Sequence, residues 1–149
     1  MLNKTHLVIT IFFILVFIPL VNSKIIFIII ALICSLIPDS DIKSSFLGKY
    51  KFFRPLQFFV THRGFFHSLL FMIIGILFFL IIYPIGAFGF FVGYSSHLIA
   101  DSFTKEGIRF FYPLKTNFSG KINTGSRIEN LIFITFGLLD ILLLITIFI

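Results

Sequence analysis

The chain is organised around one stretch, Thr61-His62-Arg63-Gly64-Phe65-Phe66-His67-Ser68. This stretch holds two of the four histidines of the 149-residue sequence, and it lies where a basic, polar segment gives way to a long apolar run. Ionisable side chains at membrane depth are rare and usually functional. The two histidines therefore predict a chemically active site at the mouth of an apolar helix.

The composition is that of a membrane protein. Hydrophobic residues make up 58% of the sequence, charged residues make up 12%, and the mean hydropathy is +1.12, whereas a soluble domain is about 25% charged. The net charge of +6 comes from cations that flank apolar runs, so juxtamembrane loops are favoured and no nucleic-acid partner is expected. Residues 1–149 are expected to form a single domain. The lone cysteine, Cys34, excludes an internal disulfide.

Five apolar runs predict an all-α fold, an integral membrane bundle of about five short hydrophobic helices. The runs cover residues 7–21, 25–38, 65–83, 85–100 and 131–149. The third and fifth approach the ~20 residues that cross a bilayer core, and the others are shorter. A short run either spans a thinned bilayer or lies within the bundle. The first run also has an alternative interpretation as a cleaved signal peptide, residues 1–23, whose removal would take His6 with it.

The basic residues predict the orientation of the bundle. If all five runs cross the membrane, then segments 1–6, 39–64 and 101–130 share one face, and they carry every lysine and arginine except Lys24. The positive-inside rule places that face in the cytoplasm. The expected location is the inner, cytoplasmic membrane, as a multi-pass protein with a cytoplasmic N-terminus.

The same topology brings eight polar side chains to the cytoplasmic face. They are His6, Asp39, Asp41, His62, His67, His97, Asp101 and Glu129. His97 and Asp101 are four residues apart and therefore share one helix face. Imidazole and carboxylate ligands suit Zn, Mn or Fe. Their number suits one divalent ion, or two ions about 3.5–4 Å apart as in many hydrolases.

Each of these patterns has a plainer interpretation when it is taken alone. Asp39 and Asp41 suit a solvated helix end, and the pair four residues apart on the fourth run suits a simple hydrogen bond. Arg63 either holds an anionic substrate group or marks the headgroup boundary. Asp140 lies inside the last apolar run, far from the cytoplasmic face, where an acidic residue suits a transport path. The combination favours the metal site.

Three sequence elements occur in a characteristic order, after an early Thr5-His6-Leu7. They are Pro38-Asp39-Ser40-Asp41, then His62-Arg63-x-x-x-His67-Ser68, then His97-x-x-x-Asp101. With these elements the chain resembles the YdjM-like family of LexA-binding, inner-membrane-associated, metal-dependent hydrolases, whose hydrolase assignment is itself made by pattern. The resemblance implies a metal-ligand set of His6, Asp39, Asp41, His62, His67, His97 and Asp101. One departure is Phe66, where the family commonly has threonine.

The predicted function is that of a membrane-bound metal-dependent hydrolase. A metal-activated water would attack an ester or phosphoester, in a lipid or lipid-linked substrate, at the cytoplasmic interface. Asp41 or Glu129 would take its proton, and Arg63 would orient an anionic group. Two alternatives stay open, a divalent-metal transporter or sensor and a non-catalytic regulatory protein with a structural metal. The sequence leaves the substrate, the metal and the oligomeric state open.

Overall fold

The computed structural model describes residues 1–42, 45, 48–51, 54, 57 and 63–149. Within these residues the fold is all-α and has no β-strand, as the sequence predicts. Five helices are described over their full extent: α1 (Asn3–Phe17), α2 (Lys24–Cys34), α3 (Leu69–Ile82), α4 (Pro84–Ser102) and α5 (Arg127–Phe148). Short 3-10 helices follow α1 and α2 and precede α3, at Ile18–Leu20, Pro38–Asp41 and Phe65–His67.

Local sequence signals set the ends of α3. The hydroxyl of Ser68 accepts a hydrogen bond from the Phe71 amide at 3.3 Å and so caps the first turn. The helix ends at Ile82, because Pro84 starts the next helix and Tyr83 lies between the two. Helix α3 has 14 residues and is therefore about 21 Å long. It covers only part of the apolar run 65–83. The run is cut short because its first residues form a 3-10 helix instead.

The outer surface of the bundle is apolar. Among the described helices, two have the length and hydropathy of a membrane span, Asn3–Leu20 and Arg127–Ile147. Large apolar side chains are exposed along α3 and α5, including Ile73, Leu77, Ile81, Leu131, Leu138 and Leu142. An exposed apolar surface of this kind suits contact with lipid.

Helix α4 is the centre of the bundle, because it packs against α1, α2 and α3. Gly93 allows α2 to approach it closely: a Cβ atom at this position would lie 2.0 Å from the carbonyl oxygen of Ala31 on α2. Small residues permit such close helix crossings in membrane bundles. The crossing brings the end of α2 beside His97, one turn further along α4.

The starts of α1, α3 and α5 and the ends of α2 and α4 meet at one end of the bundle. The contacts that join them are Leu2 with Glu129, Ser35 with His97, and Asp39 with His67. This is the arrangement that alternating helix directions predict. It collects polar residues from distant parts of the sequence in one place.

We predict that Gly93→Ala destabilises the protein, because the added methyl group forces α2 away from α4. Overpacking of this kind typically costs about 1–3 kcal/mol, and it should lower the thermal unfolding midpoint of the detergent-solubilised protein. Gly137→Ala on α5 is the matched control, because its Cβ would meet only Val8 Cγ2 at an ordinary 3.9 Å. Equal midpoints for the two variants would contradict the close crossing.

Candidate metal centre

Four buried side chains bring one ligand atom each to within 4.8 Å of one another: Asp39, His67, His97 and Asp101. Oδ1 of Asp39 lies 3.5 Å from Nε2 of His67 and 3.7 Å from Nε2 of His97. Oδ2 of Asp101 lies 3.8 Å and 3.9 Å from the same two nitrogens. Each carboxylate therefore faces both imidazoles. We refer to these four residues as the four-ligand cluster.

The four-ligand cluster fits a divalent metal ion. Ligand atoms about 2.0–2.2 Å from a tetrahedral zinc ion lie about 3.4 Å apart. The four carboxylate–imidazole separations of 3.5–3.9 Å are slightly wider than this, and all four ligand atoms lie within 4.8 Å of one another. Nε2 of His97 is buried and makes no hydrogen bond to any described residue. Buried polar atoms are nearly always satisfied, and a cation would satisfy this one.

A main-chain carbonyl orients the imidazole of His97. Its Nδ1 lies 2.7 Å from the carbonyl oxygen of Ser35, and a carbonyl can only accept a hydrogen bond. Nδ1 therefore carries the proton, which leaves the lone pair of Nε2 directed at the cluster. Metal-binding histidines usually donate their second N–H in this way. The two groups meet because α2 and α4 cross closely at Gly93.

His67 closes the 3-10 helix Phe65–His67 and is completely buried. The Tyr94 hydroxyl donates a hydrogen bond to the carbonyl of Phe66 and so fixes this segment against α4. Nδ1 of His67 lies 3.9 Å from Oδ2 of Asp41. Asp41 thus stands behind His67, outside the four-ligand cluster, in the position of a carboxylate that orients a metal-bound imidazole.

The environment of Asp39 favours its ionised form. Burial alone would raise the pKa of this carboxyl group. The neighbouring imidazoles of His67, His97 and His6 outweigh that effect and hold the pKa of Asp39 well below its usual range. Asp39 is therefore a carboxylate at neutral pH, which is the form that binds metal.

Arg63 holds Asp101 and the loop that follows α4. Its Nη2 lies 3.3 Å from Oδ2 of Asp101 and 3.0 Å from Oε2 of Glu106. Its Nη1 donates to the Thr104 hydroxyl and to the Gly107 carbonyl, both at 2.9 Å. Arg63 has a φ of 60°, which is uncommon for a residue with a side chain. The predicted substrate contact is thus engaged by several groups of the protein itself.

His6 lies beside the four-ligand cluster. Its ring stacks on that of His97, with the centroids 3.8 Å apart and the planes 8° apart. Its Nε2 is 3.3 Å from Oδ1 of Asp101, and the amino group of Met1 contacts the same oxygen. Asp101 therefore presents one oxygen to the four-ligand cluster and the other to His6.

Glu129 contacts the start of α1. Its Oε1 accepts a hydrogen bond from the Leu2 amide at 2.6 Å, and its Oε2 accepts one from the Gly125 amide at 2.5 Å. Both carboxylate oxygens are thus bound to the backbone, which ties α1 to α5. His62, the remaining predicted ligand, lies outside the described residues.

Sequence reasoning missed two contributors to this site. The carbonyl of Ser35 is a main-chain group and carries no side-chain signal. Glu106 is 64% exposed along its side chain and pairs with Arg63, and it lines a polar cavity of about 250 Å³ together with Asp39. The only clue to this role in the sequence is that Glu106 is an acidic residue immediately before Gly107.

The family of the chain follows from its similarity to known proteins. The family model described as YdjM inner membrane protein matches residues 1–148. This chain belongs to the YdjM family. Its membership confirms the resemblance seen in the three sequence elements, and it identifies the chain as a membrane protein. No solved structure matches the chain.

Two YdjM relatives are inner membrane protein YdjM of Escherichia coli (strain K12) and inner membrane protein YdjM of Shigella flexneri. Each is 33% identical to the chain in an alignment of 114 positions, and the alignment covers 68% of this chain and 58% of the relative. The match thus covers less than two thirds of each of these YdjM proteins.

We predict that Asp39→Asn and Asp41→Asn weaken zinc binding to different extents. Loss of an orienting carboxylate typically lowers metal affinity about 10–100-fold, whereas Asp39→Asn removes a ligand and should cost more. Competition with a chromogenic zinc chelator, on the full chain in detergent, measures both affinities. Asp140→Asn is the control for removal of a buried carboxylate. Equal losses at positions 39 and 41 would contradict the different roles.

Proposed function

We propose that this protein is a membrane-bound metal-dependent hydrolase that cleaves an ester or phosphoester at the cytoplasmic face of the inner membrane. The observation that carries the proposal is the four-ligand cluster, two carboxylates and two imidazoles buried at one end of an apolar bundle. A bundle that needed only stability would be expected to fill this volume with apolar side chains.

Asp39, His67, His97 and Asp101 would hold one ion, with Zn, Mn or Fe as the metals that suit these donors. When bound, such an ion polarises a carbonyl or phosphoryl oxygen and lowers the pKa of water. A two-ion arrangement would draw on His6, which faces the second oxygen of Asp101 at 3.3 Å. Elemental analysis of the purified protein distinguishes one equivalent of metal from two.

A polar cavity next to the four-ligand cluster offers a route for the substrate. The cavity of about 250 Å³ has Asp39, Arg63 and Glu106 in its wall. A substrate in this cavity would meet a candidate metal ligand and a guanidinium group together. Arg63 would keep Asp101 in place and present its positive charge to an anionic group of the substrate.

The proton acceptor in this proposal is a carboxylate close to the four-ligand cluster. Both oxygens of Glu129 accept hydrogen bonds from backbone amides, which makes it a poor base. Asp41 is buried beside His67, and Glu106 lies in the cavity wall. Asp41 is the base predicted from the sequence, and Glu106 is a second candidate, which lines the cavity itself.

The cytoplasmic placement of the site rests on the distribution of charge. The helix ends that form the site are joined to the segments that carry nearly all the basic residues, and such segments stay on the cytoplasmic side. The protein would then be multi-pass, with its N-terminus in the cytoplasm and its site at headgroup depth.

We predict that His97→Ala weakens metal binding and abolishes hydrolysis, because it removes one of four ligands and leaves the other three as an incomplete site. The assay uses the full chain in detergent with added Zn²⁺ or Mn²⁺, and bis(4-nitrophenyl) phosphate and 4-nitrophenyl butyrate as probes. Removing a group essential to metal-ion catalysis should lower the rate at least about 100-fold.

Asp140→Asn is the matched control for this assay. Asp140 is a buried carboxylate in α5, and it is not close in sequence to any proposed ligand. It should keep its metal and its rate. Hydrolysis that persists at the wild-type rate in His97→Ala would contradict the proposal.

A second candidate function, divalent-cation transport, has one observation in its favour. Asp140 is only 6% exposed, and its Oδ1 has no hydrogen-bond partner among the described residues, although it lies in an apolar helix. Acidic residues in such positions often serve ion pathways. Zn²⁺ flux into proteoliposomes that Asp140→Asn abolishes would favour transport. Bound metal without flux or hydrolysis would favour a regulatory protein with a structural metal.

A further inference from the structure

An apolar slot lies between three helices, close to the polar cavity. It has a volume of about 290 Å³, and its wall is entirely apolar. Each of three segments contributes two side chains one helical turn apart: Ile9 and Phe13, Ile99 and Phe103, Ile132 and Phe136. Because each pair follows its helix axis, the wall of the slot extends for about one helical turn along the bundle, in the direction in which acyl chains run in a bilayer.

The slot is large enough for a chain of moderate length. An apolar cavity of about 150 Å³ binds benzene, so 290 Å³ offers room for about twelve carbon atoms. Ile99 and Phe103 are 44% and 57% exposed, so part of the wall of the slot lies at the apolar surface of the protein. A lipid chain can enter there sideways from the bilayer.

The slot, the polar cavity and a basic pocket are neighbours, because each shares wall residues with the next. Met1 lines both the slot and the polar cavity. Arg63 and Glu106 line both the polar cavity and a pocket of about 230 Å³, which adds Arg109 and Lys115. The apolar slot, the polar cavity with the candidate metal ligand Asp39 and the cationic pocket therefore follow one another in this order.

We propose that this succession binds a phosphate-bearing membrane lipid. One acyl chain occupies the apolar slot, the part of the lipid that links chain and headgroup lies beside Asp39 in the polar cavity, and the phosphate lies against Arg109 and Lys115. The positive charge of the pocket complements an anionic headgroup, and the apolar wall of the slot complements the acyl chain. The inference rests on the proposed hydrolase function, for which it names the substrate class.

Native mass spectrometry of the full chain in a neutral detergent tests the slot. The probes are 1-acyl-glycerol 3-phosphates whose chains increase from six to sixteen carbon atoms. The affinity should rise by up to about fourfold for each added CH₂ group and level off near about twelve carbons, where the slot is full. Affinity that is independent of chain length, or that rises without a plateau, would overturn the proposal.

Ile132→Trp should fill the slot, and it should lower the affinity for the twelve-carbon probe at least about tenfold, the equivalent of two excluded CH₂ groups. Ile134→Trp is the matched control on the same helix, because Ile134 is 54% exposed on the outer surface, and it should bind as the wild type does. Phe136→Ala enlarges the slot and should move the plateau to longer chains. Unchanged chain-length profiles in Ile132→Trp and Phe136→Ala would overturn the proposal.

The headgroup is tested with monoacylglycerols of the same chain length. The phosphate-bearing probe should bind more tightly than the neutral one, and Arg109→Gln with Lys115→Gln should remove that preference; no preference in the wild type contradicts the phosphate site.

Metal content is measured in the same samples. A plateau in a protein that binds no metal would contradict the hydrolase function and support the lipid slot. Bound metal with hydrolysis but no chain-length dependence would support the hydrolase function and contradict the lipid slot.

Discussion

Two carboxylates and two imidazoles meet in the buried interior of an apolar bundle, and the surrounding structure compensates for them. Burying a charged group is costly unless it is paired and hydrogen-bonded. Asp101 has Arg63 on one oxygen and His6 with the Met1 amino group on the other. Asp39 faces both imidazoles of the cluster. A divalent cation among the four would complete this compensation.

The close packing of α2 and α4 connects the fold to this chemistry. Because Gly93 lets the backbone of Ala31 come into direct contact with α4, the carbonyl of Ser35 reaches His97 and fixes its tautomer. The same approach places the Pro38–Asp41 helix opposite His67. A small shift between the two helices would therefore separate ligands that come from distant parts of the chain.

The sequence predicts the convergence of the polar groups but not their individual roles. His97 and Asp101 share a helix face by their spacing alone, and alternating helix directions carry Asp39 and His67 to the same end of the bundle. The position of Asp41 outside the four-ligand cluster, however, depends on a 3-10 helix that hydrophobic periodicity does not predict. The stacking of His6 on His97 and the several contacts of Arg63 arise only in the folded protein, since their partners lie far away in the sequence.

The central claim is that Asp39, His67, His97 and Asp101 bind a metal ion as a unit. X-ray absorption spectroscopy at the zinc edge, on the purified full chain loaded with one equivalent of Zn²⁺, tests it most directly. The account predicts a shell of nitrogen and oxygen ligands at about 2.0–2.2 Å, with the outer-shell signature of two imidazoles, which falls to one imidazole in His97→Ala. A spectrum of zinc surrounded only by water, or one unchanged by that substitution, would contradict it.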